Sequence, residues 1–431
     1  MPRHAIVFTA IAAALAAMPA ASQQGKAAPT NLYIDVATQN MAGMPDMGAM
    51  GMGGFMARRM GGGQNANLVY PTTGQGGMTG QYLDIALLNA LKPGVPVQDH
   101  IPSGLQLGAS LTLNPVDLAT GTHQQSAGRV SDMEVRISEY WGCGAAVRPG
   151  QPKVATFSVK GGTFDPRTGM GGVDFQSTGS LSRGLFAPDH DIDRKPGYVY
   201  WPNREDGRRV PNGARLAGEH QISGDGIPAS LQFQVLPTAD FMPKLMLRTQ
   251  GQPADAVDLS WPGVDRARAY FISGMKVHMV NDHSVDLVVW SSADVPGAGS
   301  AVHGYLNGST LEKWLQQKVL LPSSANDCVI PKGIFAGDGS RNDAAPPMLM
   351  MTAYGPESWI SYPPRPADPR KPWNPEWSVR LRAKSTATAL LGVDFGGMSR
   401  PMGDGNRDEQ QQAAPKHPVV KGLLHGILGG G

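Results

Sequence analysis

Trp377-Ser378-Val379-Arg380-Leu381-Arg382-Ala383-Lys384 alternates apolar and polar side chains without a break. A period of two marks an extended strand, because successive side chains leave a strand on opposite sides. The same period recurs elsewhere. Leu32, Ile34 and Val36 alternate with Tyr33, Asp35 and Ala37, and Met133, Val135 and Ile137 alternate with Glu134, Arg136 and Ser138. Apolar runs at 82–91, 105–113, 154–159, 198–201, 231–235 and 285–290 extend the set, and turn-rich stretches such as Gly161-Gly162 and Asp225-Gly226 separate them. Strands that follow one another without helices predict an all-β chain built from antiparallel β-sandwich-like domains.

At 431 residues the chain is too long for one ordinary hydrophobic core. A polar stretch from Arg248 to Ala254, with Gly251 and Pro253, marks the expected boundary between an N-terminal β domain (30–248) and a C-terminal sandwich-like domain (255–392). One helix is expected inside the second domain. After an Asn307-Gly308 turn, Ser309 and Glu312 form a capping-box pattern, and Leu311, Trp314, Leu315 and Val319 make an apolar stripe that stops before Pro322. The stretch from Pro363 to Pro375 holds six prolines and Trp373, and predicts an extended surface segment. Residues 396–431 read as a flexible, disordered tail. Within it, 419–428 (Val420, Leu423, Leu424, Ile427, Leu428) is either a site of peripheral contact with the body, a partner or a membrane, or a frayed apolar end.

The N-terminus predicts an address. Arg3 and His4 precede an uncharged, mostly apolar stretch from Ala5 to Ala17, followed by small residues at Ala20, Ala21 and Ser22. That is the pattern of a cleaved signal peptide over 1–22, and the run is too short to cross a bilayer. Neither cysteine lies near the cleavage region, so the expected product is exported, periplasmic or extracellular, with no lipid anchor and no transmembrane span. Charged residues are 17% of the chain and the net charge is +2, which gives no basic field for nucleic acid. In an exported chain Cys143 and Cys328 are either one disulfide, worth about 5 kcal/mol in chain-entropy terms, or two separately buried thiols.

Chemistry is sparse. The chain has no GxSxG, HExxH, GxxxxGK[ST], GxGxxG or CxxC pattern. Asp189-His190-Asp191-Ile192-Asp193 offers alternate carboxylates for a hard cation, but lacks the Gly and Glu of a helix-loop-helix calcium site and reads as a solvated charged loop. Asp404-Gly405-Asn406 and Asp338-Gly339-Ser340 read as turns. The insert 41–63 is distinctive, with eight glycines and seven methionines: Met41, Met44, Met47, Met50, Met52, Met56 and Met60. Soft thioethers favour Cu(I); the competing reading is a flexible Gly/Met loop that holds no ligand. His278 and His283 flank an expected hairpin turn at Asn281-Asp282; as cross-strand neighbours they could meet, but two histidines without a third ligand read as turn residues. Trp201, Trp290, Trp359, Trp373 and Trp377 would suffice for a carbohydrate platform if they were not core residues.

Leu259-Ser260-Trp261, followed by Val264, Ala267, Tyr270 and Ile272, resembles the fibronectin type III-like pattern in which a Trp enters the core and a Tyr begins the next strand. The resemblance covers residues 259–272 and implies a sandwich without implying a ligand. Together with Tyr140-Trp141-Gly142-Cys143, Gly150-Gln151-Pro152, the Met/Gly insert and the export signal, it is similar to a group of exported bacterial β-sandwich proteins that carries no activity with it. Three functions follow as expectations. The first is a non-enzymatic envelope or periplasmic protein that binds a protein or polysaccharide partner. The others are a copper-binding protein using the Met-rich loop, and a hydrolase acting on envelope polymers from a polar cleft.

Overall fold

The two stretches with the plainest alternation lie side by side in the computed structural model. Strand β1 (Thr30–Met41) runs parallel to the strand Trp377–Leu390, in register from Thr30 opposite Trp377 to Met41 opposite Thr388. The structure describes residues 28–43, 68–74, 79–115, 128–129, 132–161, 163–165, 169–171, 174–186, 192, 194–337, 346–368 and 370–393. In chain order the further strands are β2 (Gly80–Asn89), β3 (Val97–His100), β4 (Ser110–Leu113), β5 (Gly128–Arg129), β6 (Met133–Trp141), β7 (Lys153–Lys160), β8 (Thr163–Asp165), β9 (Gly169–Gly171) and β10 (Asp174–Gly179). They continue with β11 (Tyr198–Trp201), β12 (Gly218–Gly224), β13 (Gln232–Val235), β14 (Arg248–Gln250), β15 (Val257–Ser260), β16 (Ala269–Asn281) and β17 (Ser284–Ser291). The last are β18 (Leu321–Pro322), β19 (Asp327–Ile330), β20 (Met348–Tyr362) and β21 (Trp377–Leu390).

An eleven-stranded sheet runs in the order β10-β7-β6-β17-β16-β20-β21-β1-β2-β11, with β18 against β16. Three smaller sheets are β13-β12-β3-β4, β14-β15-β19 and β5-β8-β9. The fold is therefore all-β, with one α-helix among the described residues. It departs from two separate antiparallel sandwiches. Strands from both sides of 248–255 share the large sheet, and two of its junctions, β1 with β21 and β6 with β17, are parallel. Periodicity identifies strands but not their partners, and parallel neighbours always belong to segments well separated in sequence. The core follows the sheet, since Leu32, Ile34 and Ile85 pack in one cluster with Ile272, Val379 and Leu381.

That cluster occupies one face of the large sheet, under Val97, Ile222 and Phe233 of one small sheet and Leu259 and Ile330 of another. Trp261 enters it, 3% exposed, its ring centre 5.6 Å from that of Tyr270 at the start of β16 in an edge-to-face arrangement. Cys143, just past β6, is joined to Cys328 of β19 in a disulfide across 185 positions, with the Cα atoms 5.3 Å apart. Of the two readings of the cysteines, the structure takes the bond.

The opposite face of the large sheet is covered differently. Helix α1 (Gly308–Gln316) lays Leu311 and Trp314 on Ala269, Phe271 and Tyr354. Its cap is not Ser309. Asn307 holds that place, its Oδ1 accepting from Thr310 N at 2.8 Å, while Glu312 reaches Arg268 at 3.4 Å. The proline-rich segment joins β20 to β21, and Trp373 Nε1 donates to Pro363 O at 3.0 Å.

Candidate functional site: the polar face of the central sheet

Alternate residues of β21 trace this face. Ser378, Arg380, Arg382, Lys384, Thr386 and Thr388 leave the sheet on the side away from the main core, and each lies between a residue of β1 and one of β20. The alternation in the sequence sorts the two sets of side chains onto two faces as expected. Both faces are closed at the centre, however: Arg380, Arg382 and Lys384 are 3%, 2% and 2% exposed.

The closed centre is held by ions. Arg382 donates from Nε to Asp35 Oδ1 at 2.8 Å and from Nη2 to Asp35 Oδ2 at 2.7 Å, a fork that satisfies both carboxylate oxygens. Asp84 lies directly across from Asp35 on β2. Two like charges side by side would repel, and Asp84 is met instead by four donors, the backbone N–H and hydroxyl groups of Thr72 and Thr73, at 2.7–2.9 Å. Burial still outweighs these bonds and pushes its carboxyl up to about 6. Tyr305 lies over the centre, with the Arg382 guanidinium 4.6 Å and the Lys384 ammonium 4.3 Å from its ring.

Next along the face, His303 is clamped between two hydroxyls. Its Nε2 is 2.8 Å from Ser273 Oγ and its Nδ1 is 2.8 Å from Thr352 Oγ1. A neutral ring has one donor and one acceptor nitrogen, and two hydroxyls satisfy either tautomer. Burial, and then the nearby Lys384 charge, hold the imidazole down to about 3. Ser273 beside His303 has the look of a nucleophile and its base, but a base this weak does not take a serine proton at neutral pH.

A second buried pair, His220 with Asp99, lies between β12 and β3. The two Asp99 oxygens are 3.2 Å from Nδ1, and Leu216 O is 3.1 Å from Nε2. Carboxylate and carbonyl both accept, so both ring nitrogens donate and neither is left for a substrate. Burial lowers the His220 pKa, yet Asp99 and the carbonyl raise it further, so it ends above its ordinary value. A shallow recess of about 260 Å³ nearby is lined by Pro96, Val97, Gln98, Thr112, Ser223 and Gly224, which supply no acid or base.

At the other end the face opens. Trp359 on β20 is 60% exposed and lies directly across from Arg380, which lies directly across from Tyr33 on β1. The Arg380 guanidinium sits 4.8 Å over the Tyr33 ring, and the Tyr198 ring is 6.5 Å from Tyr33. Tyr33 and Tyr198 are half-buried. In the adjoining row Ser361, Ser378 and Asn31 are in register, and the Ser378 hydroxyl donates to Asn31 Oδ1 at 2.7 Å. Aromatic rings thus lie beside small hydrogen-bonding groups on a partly open surface.

The residues singled out from sequence are distributed unevenly. Of the insert methionines, Met41 ends β1 on this face; Met44, Met47, Met50, Met52, Met56 and Met60 lie outside the described residues, as do Asp189-His190-Asp191, Asp193, Asp338-Gly339-Ser340, Asp404-Gly405-Asn406, 1–22 and 396–431. Trp201, Trp290 and Trp377 are core residues, 1%, 1% and 3% exposed, so the five-tryptophan platform is reduced to Trp359 and the half-buried Trp373. The hairpin turn forms at Asp282-His283, between paired Asn281 and Ser284; His278 faces Asp286 across the strands and His283 Nδ1 is 3.0 Å from Asp132 O, so His283 is a turn residue and the two histidines do not pair. Tyr33, Arg380 and Tyr198 belong to no sequence motif, although the alternation of β1 and β21 places Tyr33 and Arg380 off the core side.

Among the described residues no group of three or more His, Cys, Asp or Glu is placed to hold a metal ion, and no helix is long and apolar enough to cross a membrane. Set against protein-family models, curated proteins and solved structures, the chain matches none.

Proposed function

We propose that this is an exported, non-enzymatic envelope protein that holds a polysaccharide on the open end of its central sheet. One observation carries the reading: the row Trp359, Arg380, Tyr33, with Tyr198 alongside. Sugar rings offer C–H faces that stack on aromatic planes and hydroxyls that need donors and acceptors at their rims. Trp359, Tyr33 and Tyr198 supply the planes; Asn31, Ser361 and Ser378 supply the rim. Trp359 and Tyr33 are two strand spacings apart, about 10 Å, comparable with a disaccharide. Arg380 is buried against Tyr33 and fixes that ring, so little side-chain freedom is lost when a ligand lands on it.

The hydrolase reading finds less support, because His303 is too weak a base and both nitrogens of His220 are occupied. The test is retention of the purified chain on peptidoglycan and on envelope O-polysaccharide. Trp359→Ala should lose at least tenfold in retention on the polymer that binds the parent protein. Equal retention of parent and variant, or none by the parent on either polymer, overturns the reading.

A further inference from the structure

Glycan binding leaves unexplained the opposite end of the same face. Met275 on β16 lies directly across from Met348 on β20, and Met350, two residues along β20, lies across from Ser273. Paired residues share a face, and so do residues two apart on one strand, so three thioethers leave the sheet on one side. Paired Cβ atoms are about 5 Å apart and diagonal neighbours about 7 Å, distances that unbranched methionine side chains close easily. Met275 and Met350 are half-buried, and Met348 is 42% exposed.

The surroundings decide which ion fits. The other cross-strand neighbours of the three are Val289, Leu390 and Thr388, so no carboxylate is paired with them. His303, farther along the same face, has both nitrogens engaged by Ser273 and Thr352. Beyond Val289 the same row reaches Glu139, whose oxygens accept from Ser182 N and Gly297 N, so among the described residues the three methionines offer neutral thioethers, which suit a soft, low-charge ion rather than zinc or calcium. We infer that Met275, Met348 and Met350 form a three-thioether site for Cu(I). Met41 lies on the same face, on the far side of Thr388 from Met350, where the methionine-rich insert leaves β1. The strand register, rather than the insert, supplies the fixed geometry.

The test titrates Cu(I) into the full chain without oxygen, with ascorbate, against a chromophoric Cu(I) chelator. Four variants are compared with the parent: Met275→Leu/Met348→Leu/Met350→Leu; Met348→Leu alone; Met351→Leu on the core face; and leucine at Met44, Met47, Met50, Met52, Met56 and Met60. Met to Leu keeps volume, so folding is disturbed little. The parent, Met351→Leu and the insert variant should each hold a Cu(I) that the triple variant binds at least tenfold more weakly. Met348→Leu, at an exposed position, should weaken binding at least threefold with an unchanged melting temperature, which keeps the test valid if the triple variant misfolds. No binding by the parent, parent-like binding by the triple variant or by Met348→Leu, or a loss confined to the insert variant overturns the assignment.

Discussion

Arg382 and Asp35, 347 positions apart in sequence, meet as a buried two-pronged ion pair at the parallel junction of β1 and β21. The junction closes the sheet between the two ends of the described chain. Removing one partner leaves a buried charge unpaired, which costs about 3–5 kcal/mol. Arg382→Met has an added penalty, because Asp35 then lies across from Asp84 without the guanidinium that held both of its oxygens. The expected outcome is that Arg382→Met alone destabilises more than Arg382→Met with Asp35→Leu, read from denaturant midpoints. A double variant no better than the single one would show that the pair is not coupled as its geometry implies.

The disulfide acts at the other junction. Cys143 follows the end of β6, which is parallel to β17, and Cys328 belongs to β19 of a separate small sheet. Loop closure across so long a stretch constrains the unfolded chain strongly. Reduction, or Cys143→Ser with Cys328→Ser, should lower stability by about 2–4 kcal/mol. Thermal melts with and without reductant check this, and the double serine variant should be indifferent to reductant.

His303 makes stability depend on acidity. Its folded pKa is about 3 against an ordinary 6.5, so between those values the unfolded chain takes up a proton that the folded chain refuses. Stability from this group is complete above about pH 6.5 and is lost as pH falls towards about 3, with a slope approaching about 1.4 kcal/mol per pH unit. Asp84, raised from 3.8 to about 6, works in the opposite sense, because the folded chain holds a proton there that the unfolded chain has released. The two are separated by comparing the parent with His303→Gln, which keeps hydrogen bonds to Ser273 and Thr352. The advantage of the parent over His303→Gln should shrink between pH 7 and pH 4.5; a constant difference would contradict a neutral, buried imidazole.

Legibility in the sequence follows range of interaction. β1, β6, β17 and β21 are visible because alternation is local, and the stripe Leu311, Trp314 finds its helix for the same reason. β20, fifteen residues long, goes unread, and Gly355-Pro356 interrupts its alternation with two residues that disfavour strands. In the structure the dipeptide sits in a bulge between Tyr354 and Glu357, where a ladder N–H is dispensable, and a Cβ at Gly355 would lie 2.6 Å from Ala383 O. With β20 unread, neither the row through Trp359 nor the pairing of Met348 with Met275 can be assembled. The shared large sheet is hidden for a related reason: the parallel partner of β1 is β21, near the other end of the described chain, and no short-range signal marks it. Asn307 as cap was legible, since Asn is a favoured residue there, but Ser309 with Glu312 offered a competing pattern.

Trp359 separates ligand binding from folding more cleanly than any other residue of the face. At 60% exposed it buries little, whereas Trp377, Trp290 and Trp201 are core. Its neighbour across the sheet, Arg380, keeps its stacking on Tyr33 when the indole is gone. Trp359→Ala should therefore change stability by no more than about 0.5 kcal/mol, the range of ordinary surface substitutions, while retention on the polysaccharide falls. Tyr33→Leu removes the ring that Arg380 stacks on and should lower both stability and retention. If Trp359→Ala instead unfolds the chain while leaving retention in the folded fraction intact, the indole is a structural cover for Arg380 and the open row is not where the polymer sits.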